Sequence, residues 1–98
     1  MSTELISKKP LFFDDIKNFS EDGVYVDTLN NDNSLILTDG TNFLWAMETD
    51  EVRYPNTGQR GILFIRYAGN YPERIIEVIE QHFDTNLITE VSDEFEIY

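Results

Sequence analysis

The sequence predicts an α+β domain: a mostly antiparallel sheet of 5–6 strands, one main amphipathic helix packed on one face, and a short N-terminal helix. Three observations predict it. Short β-branched and aromatic runs alternate with turn residues from 24 to 48. Apolar residues then recur at helical spacing from Pro72 to Phe83. The chain is 98 residues long, 41% hydrophobic and 13% aromatic, which is one globular domain's worth of core-forming sequence despite a net charge of -12.

In order, residues 1–9 are polar and read as a frayed end. Pro10 opens a short helix over 11–19, with Phe12, Ile16 and Phe19 at i, i+4 and i+7. Residues 24–29 form the first strand, and the Asn-rich turn 30–33 folds it onto a second at 34–38. Asp39-Gly40 is a two-residue hairpin signal of the type I′ kind, leading to a third strand over 41–48 with Phe43, Trp45 and Met47 on one face. Residues 50–61 contain Pro55, Gly58 and Gly61 without a period and read as a long exposed loop. Ile62 to Tyr67 is a nearly continuous apolar run, hence a strand covered on both faces. Asn70 with Glu73 three residues on reads as an N-cap and capping box for a helix ending near Phe83. Ile75, Ile76, Ile79 and Phe83 give that helix its apolar stripe. Segments 87–91 and 94–98 read as one bent strand or two short ones, joined to the preceding strand either by a parallel crossover or by return to an antiparallel edge.

Charge is blocked along the chain. Residues 18–52 hold eight acids and no Lys or Arg, and residues 77–98 hold seven more. Between them Arg53, Arg60, Arg66 and Arg74 face only Glu73. A chain so anionic is repelled by nucleic acid and anionic lipid, and attraction runs toward basic protein surfaces. On the main helix Glu73, Glu77, Glu80 and Asp84 fall in one stripe. Like charges at this spacing cost about 0.2 to 0.5 kcal/mol per pair, and Asp84 sits where the helix dipole disfavours an anion. The reading is a partner-facing stripe, with Glu90, Asp93, Glu94 and Glu96 as a second patch; the bland alternative is a solvated face. Reversal of Glu77 and Glu80 to Lys is expected to weaken docking and leave the fold intact.

Catalytic signals are missing. There is no Cys, and no G-x-S-x-G, G-x-x-x-x-G-K-[ST] or G-x-G-x-x-G pattern. The paired acids Asp14-Asp15, Asp50-Glu51 and Asp93-Glu94 are sequence neighbours, which on a strand point to opposite faces. His82 is alone, so no zinc set is expected, and the Asn30–Asn33 oxygens lack the EF-hand glycine and glutamate. The arginines flanking Gly58 and Gly61 offer a weak anion cradle. No cofactor, metal or catalytic residue is therefore expected. The aromatic residues around Phe43 and Trp45 require cover from the N-terminal segment or from a second subunit, so a homodimer is a natural outcome.

In size, charge and absence of catalytic motifs, and in no motif, the chain is similar to small acidic inhibitors encoded by phages, such as anti-CRISPR proteins and DNA mimics, and to immunity proteins of nuclease toxins. The charge and the missing catalytic motifs make the expected protein a non-enzymatic module that docks on the basic surface of a nucleic-acid-handling protein, and the lack of Cys suits a cytoplasmic setting. The alternative is a dimeric structural or regulatory domain whose acids serve only solubility.

Overall fold

The computed structural model describes residues 2–89. Its elements are β1 (Ser2–Ser7), α1 (Phe13–Ile16), β2 (Ser20–Glu21), β3 (Val24–Leu29), β4 (Ser34–Thr38), β5 (Phe43–Arg53), β6 (Arg60–Tyr67), α2 (Glu73–Phe83) and β7 (Leu87–Thr89). The seven strands make one antiparallel sheet in the order β2-β3-β4-β5-β6-β1-β7.

This overturns the expected architecture. The sheet is not a five- or six-stranded layer with a helix laid across it, but a curled, half-barrel sheet of seven strands with two short helices. Helix takes 17% of the described residues, about half the usual third, so the sheet is the fold. Curling gives it a hollow. Leu5, Leu35, Leu37, Leu44, Ala46, Ile62 and Phe64 line this inner side, and α2 inserts Ile75, Val78 and Ile79 among them while α1 adds Phe13 and Ile16.

Two segments account for the extra sheet. Residues 2–7, expected to be frayed, form β1 between β6 and β7. Its only apolar pair, Leu5-Ile6, is adjacent in sequence, so the two side chains enter opposite faces and produce no alternation for a pattern search to find. Half of the expected loop 50–61 is strand: β5 runs on to Arg53 and β6 starts at Arg60, with a register shift between Thr49 and Arg53. That irregularity breaks the period. It turns Val52 and Tyr54 onto Ile6 and Leu63, making a second, smaller core. Gly61 permits the closure, because a Cβ there would stand 2.6 Å from Val52 Cγ1 and 2.9 Å from Tyr54 Cε2.

Local chemistry differs in three further places. The Asp39-Gly40 turn is a four-residue loop, since Thr38 pairs with Phe43 and only Gly40 has positive φ. Asp39 Oδ1 holds it by accepting from the Thr41 and Asn42 amides at 2.9 and 2.8 Å. These two bonds keep the Asp39 carboxyl below its ordinary pKa. Helix α2 begins after Pro72 without a side-chain cap; Asn70 Oδ1 accepts instead from the Phe43 amide at 3.1 Å. The N-terminal helix is one turn, Phe13–Ile16, with Asp15 Oδ2 accepting from the Phe12 amide. β7 returns to the antiparallel edge beside β1, and the rest of the expected C-terminal strand lies outside the described residues.

Candidate functional site

The register places one set of side chains on the outer face of the curled sheet. Ile36, Trp45 and Ile65 are cross-strand partners in one row, flanked by Thr28 and Glu4. Tyr25, Thr38 and Phe43 form the row on one side, and Ser34, Met47 and Leu63 the row on the other. β5 is the fourth of seven strands, so Phe43, Trp45 and Met47 run along the centre of this face. Each is more than a third exposed, at 39%, 38% and 38%. Tyr67 packs edge-on against Trp45 with ring centroids 5.6 Å apart. Ile36, Phe43, Trp45, Tyr67 and Asn70 line a shallow depression of about 500 Å³.

Within these rows Glu4 is the sole charged residue. In a chain that is 27% charged, that is a strong segregation. Exposed apolar surface of this continuity marks interaction sites more often than ordinary monomer surface. The N-terminal segment does not cover it, because β1 is used up as a strand between β6 and β7.

The acidic stripe has a different fate. Glu73 is ion-paired to Arg66 on the neighbouring strand. Asp84 accepts from Lys9 Nζ at 2.9 Å, which holds its carboxyl below the ordinary value. Glu80 turns an oxygen to the Leu87 amide at 2.8 Å and so fastens the link from α2 to β7. Of the four stripe residues, Glu77 alone has no ion pair or side-chain hydrogen bond among the described residues. Asp84 also takes a left-handed backbone, φ 52°, as the residue that ends α2, and local geometry thus gives it work. Glu90, Asp93, Glu94 and Glu96 lie outside the described residues.

The remaining candidates are likewise occupied. Arg53 donates to the Gly58 carbonyl at 2.7 Å and to Asp50 at 2.8 Å, and Arg60 meets Glu48 at 2.7 Å, so the supposed anion cradle spends its cations on the protein itself. His82 packs edge-on to Phe19 and lies 3.7 Å from Glu21. Asp14 pairs with Lys17 and Asp15 serves α1. No group of three His, Cys, Asp or Glu side chains suited to a metal occurs among the described residues. The described residues also contain no helix long and apolar enough to cross a membrane.

Among the described residues the buried polar side chains are Thr38, whose hydroxyl donates to the Asn42 carbonyl at 2.7 Å in the β4–β5 turn, and Ser7 and Thr85, which meet in a knot under β1. Ser7 Oγ and Thr85 Oγ1 are 2.8 Å apart, Ser7 Oγ donates to the Lys9 carbonyl, and the Lys9 amide donates to Thr85 Oγ1. Tyr54 donates its hydroxyl to the Ser7 carbonyl at 2.9 Å, and burial pushes its pKa up to about 12. All partners are satisfied within the chain, as a structural knot requires.

No family model, curated protein or solved structure matches this chain.

Proposed function

We propose that the protein is a non-enzymatic binding module whose contact surface is the outer face of the sheet, centred on Trp45. One observation carries this reading: an almost uncharged aromatic face lies across the central strand of an otherwise highly charged molecule. Large, rigid side chains at the middle of such a patch concentrate binding energy, while charged margins supply orientation.

The test is selection from a random peptide display library against the full chain, counter-selected with Trp45→Glu. Sequences enriched on the wild type and lost on the variant support the reading. A library that gives no enrichment specific to the intact face sinks it.

A second reading, docking of the anionic surface on the basic face of a nucleic-acid-handling protein, is favoured by one specific observation. Nineteen Asp and Glu stand against seven Lys and Arg, so the field of the molecule at a distance is anionic whatever internal pairs the bases make. Such docking weakens steeply as salt rises. Contact through the aromatic face does not.

A further inference from the structure

We infer that the occupant of the outer face is a second copy of this chain, the two sheets stacking about a two-fold axis near Trp45. The inference rests on the binding role proposed for that face and names its partner.

Three features select a second copy. First, the face offers nothing to a cationic partner: its rows contain one charge, Glu4, and a partner drawn in by the net charge of -12 would strip water from its Lys and Arg without receiving a counter-charge. A second copy brings an equally uncharged face. Second, the patch is centred on β5, the middle strand of seven. An isologous contact requires that a surface match itself about an axis, and a patch on the middle strand lets Phe43, Trp45 and Met47 of one copy meet the same strand of the other in face-to-face sheet packing. The helices lie on the inner side and remain outside such a contact.

Third, the area is adequate for a weak association. Tyr25, Phe43, Trp45, Met47 and Tyr67 are each about two-fifths exposed. At roughly 200 Å² per large side chain they present about 400 Å² per copy. With half-buried Ile36 and Ile65 and the polar margins, two copies bury on the order of 1,000 Å², the lower edge of specific interfaces. The contact is therefore reversible and dependent on concentration.

Electrostatics supplies a sign that other partners do not share. Two anionic copies repel at long range while their contact is apolar, so added salt screens the repulsion and strengthens association. Sedimentation velocity of the full chain, over a concentration series at low and high salt, reads this directly. The expected result is a shift from the 11.5 kDa monomer toward twice that mass, more complete at high salt. Trp45→Ser weakens association at least ~10-fold, and Met47→Lys does the same if the first variant loses its far-ultraviolet circular dichroism. A chain that stays monomeric at every concentration and salt overturns the inference, as does a dimer that both variants leave unchanged. If the chain is monomeric but still selects peptides that Trp45→Glu loses, the second-copy inference fails and the binding role stands; if it does neither, both fail.

Discussion

Substitution of Gly61 by Ala tests the least expected feature of the fold, the folding of the β5 end over β6. A strand glycine is normally a weak point, and Ala there gains about 0.5 to 1 kcal/mol by reducing the freedom of the unfolded chain. Gly61 is not in the left-handed region, so no backbone strain opposes the change. Contact does. The new methyl would stand 2.6 Å from Val52 Cγ1, 2.9 Å from Tyr54 Cε2 and 3.0 Å from the Val52 carbonyl oxygen. Val52 and Tyr54 are 0% and 2% exposed and have nowhere to retreat. Overpacking of this kind costs about 1 to 3 kcal/mol, which exceeds the entropic gain. Net destabilisation of about 1 to 2 kcal/mol follows, and for a domain of this size that lowers Tm by roughly 5 to 15 °C. Thermal and urea melts followed by far-ultraviolet circular dichroism measure it. Val52→Ala removes the nearest methyl but leaves the carbonyl, so the double variant recovers part of the loss beyond additivity. If Gly61→Ala melts at or above the parent temperature, β5 does not close over β6 as described.

Two other perturbations follow from the hydrogen bonds. The Tyr54 phenol has a folded-state pKa raised to about 12, so its contribution is complete below the unfolded value of about 10 and is lost as pH rises through the folded one. Stability should fall by up to about 2 kcal/mol over that alkaline window, and Tyr54→Phe should flatten that part of the pH profile while costing about 1 kcal/mol at neutral pH for the bond to Ser7. On α2, Glu77→Lys should leave Tm nearly unchanged, whereas Glu80→Lys removes the acceptor of the Leu87 amide and should cost about 1 kcal/mol. Equal effects in paired thermal melts would show that Glu80 does not fasten the α2–β7 link.

Much of the secondary structure was legible because the signals are local. The strands at 24–29 and 34–38, the apolar run from Ile62 and the end of α2 at Phe83 all follow from period and turn residues. The errors came from non-local causes. β1 has no pattern of its own and exists because β6 and β7 offer it hydrogen bonds. The half of β5 beyond Thr49 is held by a bulge that puts Val52 and Tyr54 out of phase with Phe43 and Trp45. Asn70 looked like a helix cap because the local spacing fits one. Its side chain serves the β5 backbone 27 residues away, which spacing cannot reveal. The aromatic row was visible in the sequence as Phe43, Trp45 and Met47 on one face, but its exposure depended on what the N-terminal residues did.

The same non-locality accounts for the charge blocks. In sequence the arginines from 53 to 74 stand apart from the acids on either side, which invites a search for an external cation. Antiparallel pairing and the packing of α2 bring the blocks together: Arg60 reaches Glu48 across β5 and β6, Arg74 reaches Asp22, Lys9 reaches Asp84, and Arg66 reaches Glu73. Exposed pairs of this kind contribute little each, commonly under about 1 kcal/mol, so they do not explain why the fold is stable. They do explain how acids and arginines can be segregated along the chain with no partner in view. Once these pairs are made, segregation along the chain is accounted for, and it is the net charge of -12 that still supports docking on a basic surface. Among the described residues, what still lacks an intramolecular explanation is the opposite kind of surface, the uncharged aromatic row across the middle strand.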